Sequence, residues 1–126
     1  MKKLLLLCLP LALLYACSDK AHKTELEYDK SAQGLHIVSA KDTFNKFKSQ
    51  YYVSTVIKND TKDVISNFLV TAKYVDGVGD ITAETTAGAG KAIAPGSSLV
   101  IENTYSYSSN ENLPYKVKLS VKDMFQ

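Results

Sequence analysis

Arginine and tryptophan are absent from this sequence of 126 residues, and histidine and cysteine occur only twice each. Arginine recognises phosphates and base edges through paired hydrogen bonds, so its absence argues against a nucleic-acid partner. The two histidines, His22 and His36, are too few for the three or four protein ligands of a zinc site. No nucleophile motif accompanies them, so we expect no metal, no cofactor and no enzymatic activity.

Helical periodicity is also missing. No stretch of ten or more residues places apolar side chains at the spacing of an amphipathic helix. Short runs of alternating β-branched and aromatic residues occur instead, separated by turn signals about every ten residues. The pattern predicts an all-β fold: a single immunoglobulin-like antiparallel β-sandwich of about seven strands, with a small β-barrel as the alternative.

One apolar run, broken only at Pro10, is present at residues 4–14, directly after Lys2 and Lys3. As a helix it would extend about 16 Å, half the thickness of a bilayer core, so it is too short to span a membrane. A basic start followed by a short apolar run is typical of a signal peptide.

The run ends in Leu14-Tyr15-Ala16-Cys17. A leucine three positions before a cysteine, with a small residue directly before that cysteine, resembles the lipobox of bacterial lipoproteins. The resemblance implies signal cleavage between Ala16 and Cys17 and attachment of acyl chains such as palmitate to Cys17. The alternative is an ordinary secretory signal with a chance cysteine.

Cleavage would divide the chain into a signal peptide (1–16), a lipidated N-terminus with a flexible tether (17–33) and a β-sandwich domain (34–126). The tether is polar and densely charged, with too few apolar residues to order itself as a core element. Alternating Thr24, Leu26 and Tyr28 leave open a short strand within it.

Loss of the signal peptide has chemical consequences for the mature chain. Lys2 and Lys3 leave with it, so 13 Lys remain against 13 Asp and Glu. Cys8 leaves as well, so no disulfide can form in the domain. Ser18 follows the lipidated cysteine, with Asp19 one place further on, and by resemblance to enteric sorting this favours the outer membrane.

Strands are predicted from alternation at 35–40, 50–58, 64–76, 81–87, 97–107 and 115–122. An irregularity is expected at Ser66-Asn67, and 81–87 is expected to be an edge strand. Pro95-Gly96 is the signature of a type II turn.

Two segments carry more detailed expectations. Residues 41–49 are predicted to form one helical turn, or a loop held by buried Phe44 and Phe47 rings. In the last strand, Tyr115 is predicted to share the core face with Val117 and Leu119.

The order of features from residue 51 onward is more specific than a generic sandwich. It reads Tyr52-Val53-x-x-Val56-x-x-Asn59-x-Thr61, then Phe68-x-Val70-x-x-x-Tyr74-x-Asp76-Gly77, and later Pro95-Gly96. This order resembles the FxLYD family of small immunoglobulin-like domains in secreted bacterial and archaeal proteins. The resemblance implies an extracytoplasmic β-sandwich for interaction and carries no catalytic residues.

Two candidate sites emerge from the residue types. Eight Tyr is a high content, and Tyr105 with Tyr107, beside a polar loop, could form a recognition patch. The alternative is that both pack against the sheet or core. Asp76 and Asp80, with Glu84 nearby, could hold Ca²⁺, but an Asp-Gly turn explains them through backbone geometry alone.

Together these features predict a membrane-anchored bacterial envelope lipoprotein whose sandwich is a non-catalytic protein-interaction module. Its expected partners are the membrane, through Cys17, and another envelope protein. A periplasmic or surface inhibitor or scaffold lipoprotein is the alternative.

Overall fold

The structure, a computed structural model, describes residues 23–28 and 34–123. No helix in this part of the chain is long and apolar enough to cross a bilayer. In these residues, one 3-10 turn (Asn110–Asn112) accompanies nine strands: β1 (Glu25–Tyr28), β2 (Leu35–Asn45), β3 (Gln50–Asn59), β4 (Ile65–Ser66), β5 (Phe68–Val75), β6 (Ile81–Ala87), β7 (Ala92–Ile93), β8 (Ser98–Ser106) and β9 (Lys116–Asp123).

Seven of these strands build two open sheets, so the predicted all-β sandwich is confirmed. The first sheet has the order β1-β9-β5-β6 and the second β2-β3-β8, while β4 and β7 form a separate two-stranded ribbon. Neither order closes on itself, so the alternative of a small barrel is not what the described residues form. Every pair is antiparallel except β1 with β9, which run parallel.

The core lies between the two sheets and follows the two-residue period of the strands. In β3, Tyr51, Val53, Thr55 and Ile57 are buried while the residues between them are partly exposed. Burying a valine or isoleucine side chain contributes about 1.5–3 kcal/mol to the stability of the fold. The facing sheet completes the core with Phe68, Val70, Ala72, Tyr74, Val117 and Leu119.

Strand β2 is longer than predicted: of the segment 41–49 predicted as a helical turn or loop, residues 41–45 are strand and only 46–49 form a turn. The strand continues to Asn45 and forms a hairpin with β3, in which Phe44 pairs with Tyr51. A bulge between Ile37 and Ser39 shifts the alternation by one residue, so the pattern read from 35–40 does not extend across it. Phe44 packs against the core, as expected, but Phe47 is 92% exposed.

The predicted long strand at 64–76 is interrupted at the expected place. Asn67 has a φ of 60°, in the left-handed region, and separates β4 from β5. Asparagine tolerates this conformation because its short side chain can hydrogen-bond locally. The interruption lets β4 leave the sheet of β5 and pair with β7.

The predicted type II turn and edge strand are both present. The backbone N–H of Ser97 donates to the carbonyl oxygen of Ala94 at 3.0 Å, and Gly96 has a φ of 71°. Glycine adopts this φ without a steric penalty, as the third position of a type II turn requires. Strand β6 lies at the edge of its sheet.

Part of the predicted tether is a strand rather than a flexible segment. Glu25–Tyr28 pairs with β9, and Leu26 packs against the core. The backbone N–H of Glu25 donates to the carbonyl oxygen of Tyr115 at 2.9 Å, and the Thr24 hydroxyl to that of Pro114 at 2.6 Å. The alternation of Thr24, Leu26 and Tyr28 was the signal for this strand.

The prediction that Tyr115 faces the core is wrong. Strand β9 begins at Lys116, and the Tyr115 side chain is 54% exposed. The alternation within β9 is as predicted for Val117 and Leu119, which are buried. Tyr115 belongs instead to the loop before the strand, where the period of two no longer applies.

Candidate functional site

Three connections meet at one end of the sandwich, which we call the aromatic end: the turn 46–49, the turn 76–80 and the loop 107–115. Gln50 at the start of β3 pairs with Ser106 at the end of β8, which joins the first and third connections. Val75 at the end of β5 pairs with Lys116 at the start of β9, which joins the second and third.

Four tyrosine rings form a cluster beneath this end and connect the two sheets. Tyr74 of the first sheet contacts Tyr105 at a centroid distance of 5.3 Å, Tyr107 at 6.3 Å and Tyr51 at 6.4 Å. Tyr107 contacts Tyr105 at 5.1 Å and Tyr51 at 6.0 Å. Edge-to-face and tilted aromatic pairs at these distances are favourable beyond their buried area.

The phenol groups of the cluster have different surroundings. The Tyr51 hydroxyl donates to the Asp42 carboxylate at 2.6 Å, and the Tyr74 and Thr85 hydroxyls are 2.9 Å apart. The Tyr107 hydroxyl is buried and has no hydrogen-bond partner among the described residues. Burial raises the pKa of all three phenols, and the Asp42 carboxylate raises the pKa of Tyr51 further.

The two predicted interaction residues therefore have different roles. Tyr105 and Tyr107 do lie together, as their spacing suggested, but Tyr107 packs within the cluster. Tyr105 is 38% exposed. Tyr105 is the more exposed of the pair and the better placed to contact a partner.

Exposed apolar side chains are concentrated at the aromatic end. Five of the nine large apolar side chains that are exposed in the described residues lie there. Such a concentration on a small domain is typical of a contact surface. They are Phe47 at 92%, Val78 at 82%, Ile81 at 54%, Tyr115 at 54% and Tyr105 at 38% exposure.

Two clefts flank the loop 107–115 at this end. One, of about 630 Å³, lies between the β2–β3 hairpin and Ser108 and Ser109. The other, of about 430 Å³, lies between the turn 76–80 and the segment 111–115, with Tyr107 in its wall.

The tip of the β2–β3 hairpin is held in one shape by its own side chains. The Asn45 carboxamide oxygen accepts the backbone N–H groups of Phe47 at 3.1 Å and Lys48 at 3.2 Å. Ser49 closes the turn with a φ of 52°. The Phe47 ring points outward, with the Lys46 ammonium 5.8 Å from its centroid. Sequence reasoning missed this tip, although flanking by two lysines argued against a buried ring.

The chain also joins the sandwich at the aromatic end. Strand β1 runs parallel to β9 and starts level with Lys116, so Thr24 lies beside Pro114 in the loop 107–115. An ion pair between Glu27 and Lys116 at 3.0 Å holds the two strands on their outer face. It lowers the pKa of the Glu27 carboxyl and raises the pKa of the Lys116 ammonium.

The turn 76–80, which the sequence offered as a calcium site, is explained by hydrogen bonds of the Asp76 side chain to the backbone. The Asp76 carboxylate accepts the backbone N–H groups of Val78 at 3.0 Å and Asp80 at 2.9 Å. Glu84 lies in β6, and the described residues contain no group of three or more acidic, His or Cys side chains placed to hold a metal ion.

The remaining candidates lie elsewhere. His36 contacts the Asp60 carboxylate at the opposite end of the sandwich, where Lys58 is 3.9 Å from the same carboxylate. His22 and the predicted lipobox, Leu14 to Cys17, lie outside the described residues.

No protein-family model matches the chain, and no curated protein matches it. Among solved structures, the crystal structure of Campylobacter jejuni cj0090 is similar, with a TM-score of 0.48 and 8% sequence identity. The match covers 80% of this chain and 99% of that chain. The resemblance to the FxLYD family stays a prediction from sequence.

Proposed function

We propose that this chain is a lipid-anchored protein of the bacterial envelope whose sandwich is a non-catalytic protein-interaction module, with the aromatic end as its contact surface. The observation that carries the proposal is the meeting of two features at that end. The exposed apolar side chains gather there, and the chain arriving from Cys17 joins the sandwich at the same place.

The distance between anchor and domain is short. Cys17 and Thr24 are seven residues apart, so the chain between them spans at most about 25 Å. Thr24 is itself fixed by its hydrogen bond to Pro114. A lipid on Cys17 would therefore hold the aromatic end toward the bilayer, with the outer membrane favoured by Ser18 after the cysteine.

A partner at this end would be an envelope protein lying in or on the same membrane. Tyr105 and Tyr115 offer rigid amphipathic contact area, which recognition surfaces use because tyrosine loses little conformational entropy on binding. The tyrosine cluster beneath Tyr105 keeps that ring in place through contacts at 5.1 and 5.3 Å.

The anchor is tested by replacing the lipidated residue. We expect Cys17→Ala to abolish incorporation of labelled fatty acid and to leave an uncleaved or unanchored chain, while Ser18→Ala leaves labelling intact. Labelling of Cys17→Ala at the wild-type level would refute the anchor.

The contact surface is tested by site-specific photocrosslinking in the intact lipoprotein. A photoreactive side chain at position 105 should yield a discrete adduct with one envelope protein. The same group at Val64, which is 62% exposed at the opposite end, should not. Equal yields at both positions, or no adduct at 105, would contradict the proposed surface.

A further inference from the structure

The tip of the β2–β3 hairpin, Lys46-Phe47-Lys48, has a feature that protein recognition alone does not explain: a fully projecting aromatic ring between two cations. We propose that this tip is a second membrane contact, in which Phe47 enters the bilayer interface and the two lysines bind anionic phospholipid headgroups. The inference rests on the proposed anchor, because the lipid on Cys17 supplies the orientation.

The shape of the tip suits insertion. Phe47 is 92% exposed, so its ring makes little contact with the other described residues. The Asn45 side chain fixes the backbone of Phe47 and Lys48, and Phe44 packs the hairpin onto the core. A ring held outward on a rigid hairpin loses little conformational entropy when it enters the interface.

The charge of the tip suits an anionic bilayer surface. Lys46 and Lys48 flank the ring, and both side chains are exposed. The cleft behind Phe47 is lined by hydroxyl, amide and phenyl groups and by Lys46, with no carboxylate among the residues described there. In the same hairpin, Asp42 accepts the Tyr51 hydroxyl.

The position of the tip relative to the anchor favours lipid as the occupant. The hairpin tip and Thr24 belong to the same end of the sandwich, and Cys17 lies within about 25 Å of Thr24. A surface kept this close to the bilayer meets headgroups at a high effective concentration, so even a weak contact is populated. One phenyl ring and two lysines are a small contact, which suffices for an anchored domain but not for a stable protein interface.

The absence of tryptophan from the chain allows a direct test. The variant Phe47→Trp places a single fluorophore at the tip, and Val64→Trp places the matched control at the opposite end. Each intact lipoprotein is reconstituted into vesicles of phosphatidylcholine with phosphatidylglycerol. We expect the indole of the Phe47→Trp variant to emit with a blue shift and to be quenched by brominated lipids. The indole of the Val64→Trp variant should emit as it does in water.

Flotation of the same vesicles separates the two proposals. If the Phe47→Trp protein floats but its indole stays water-exposed and unquenched, the anchor stands and the inserted tip is refuted. If the protein does not float, the anchor fails, and quenching of the same indole on added vesicles still decides whether the tip binds lipid. A blue shift that requires a protein partner and not lipid also overturns the inference.

The contribution of charge is tested by reversing it in the Phe47→Trp background. Each lysine near an anionic surface strengthens binding about fivefold, so Lys46→Glu with Lys48→Glu should weaken the lipid contact of the tip by about 25-fold or more. Quenching of the tip indole on phosphatidylglycerol vesicles should fall accordingly. The matched variant, Lys62→Glu with Lys91→Glu at the opposite end, should leave quenching unchanged. An equal loss in both variants would show a general effect of net charge and refute the headgroup contact.

Discussion

Two phenols of the tyrosine cluster differ by one hydrogen bond. The Tyr51 hydroxyl donates to the Asp42 carboxylate, whereas the buried Tyr107 hydroxyl has no hydrogen-bond partner in the described part of the chain. A buried hydroxyl that forms no hydrogen bond has lost its water without compensation. The two residues therefore form a natural pair for separating packing from hydrogen bonding.

We expect Tyr51→Phe to lower the free energy of unfolding by about 1–2 kcal/mol, because a hydrogen bond to a charged group is lost. Tyr107→Phe should leave it unchanged or raise it slightly, because the ring stays and only an unpaired hydroxyl is removed. Urea denaturation of both variants measures the difference. A loss of more than about 1 kcal/mol for Tyr107→Phe would show that its hydroxyl has a partner.

The raised pKa values of the cluster predict alkaline lability. In the unfolded chain tyrosine loses its proton near pH 10, while burial keeps Tyr51, Tyr74 and Tyr107 protonated in the folded domain. Above that pH the unfolded state binds fewer protons than the folded state, so the free energy of unfolding falls as the pH rises. The stability that the protonated phenols contribute to the folded domain is fully present below about pH 10. It is lost as the pH rises towards the higher pKa values of these phenols in the folded state.

Denaturation midpoints should therefore stay level from about pH 8 to pH 9 and decline from about pH 10 to pH 11. The decline should be shallower in Tyr107→Phe, which removes one of the linked protons. An equal slope in the wild type and Tyr107→Phe would argue against a protonated phenol at 107.

Asn59 lies at the end of β3 and is buried, although asparagine is a residue typical of turns. Its side-chain amide donates to the carbonyl oxygens of Asp63 at 2.7 Å and Ile93 at 2.8 Å, and its carbonyl oxygen accepts from the backbone and hydroxyl of Thr61. The Asn-x-Thr spacing is thus explained by one hydrogen-bond network that ties the loop after β3 to β7.

At the scale of elements, β1 is the strand for which the alternation of apolar and polar residues gave the weakest prediction. Four residues with a single large aliphatic side chain cannot bury much surface alone, so composition favoured a tether. The strand forms because β9 offers an unpaired edge and because the sandwich accepts Leu26. The paired edge is provided by residues about ninety positions later in the chain, so no short stretch of sequence contains both partners.

Leu26→Ala is expected to lower the free energy of unfolding by about 1–2 kcal/mol, since a partly buried aliphatic side chain is truncated. The exposed neighbour Lys23→Ala should have no measurable effect. Thermal or urea denaturation of the two variants checks the expectation. If Leu26→Ala were as stable as the wild type, β1 would contribute nothing and the tether prediction would be reinstated.

The β2–β3 hairpin differs from its prediction for a related reason. Residues 41–45 are mostly polar because β2 is an edge strand, with one side facing solvent. The bulge after Ile37 also reverses which residues face inward, so Ala40 and Phe44 share the core side. A period of two read across that bulge gives the wrong face.

At the scale of the whole molecule, the proposed anchor and the exposed aromatic end predict an end-on orientation. The proposed mature chain has no free thiol, because Cys8 is removed and Cys17 is acylated, so an introduced cysteine can be labelled selectively.

In proteoliposomes, Val78→Cys at the aromatic end should react with a membrane-impermeant maleimide severalfold more slowly than Val64→Cys at the opposite end. In detergent the two rates should become similar, since both side chains are largely exposed. Equal rates in proteoliposomes would mean that the domain lies on its side or moves freely, and would contradict the orientation.

Several features of this protein are determined by short stretches of its sequence. Alternation is a local property, so the buried faces of β3, β5 and β9 could be predicted from neighbouring residues, as could the Pro95-Gly96 turn. The lipobox at Cys17 is likewise a short motif that needs no fold to be recognised, and it stays a prediction.

The tertiary structure alone decided which loops share an end. Tyr74 meets Tyr105 across 31 positions of sequence, and Thr24 meets Pro114 across 90. Such meetings follow from strand order and direction, including the parallel pairing of β1 with β9, and strand order is set by long-range packing. The Phe47 tip, Tyr105, Tyr115 and the arriving chain became one surface only when the sheets were assembled.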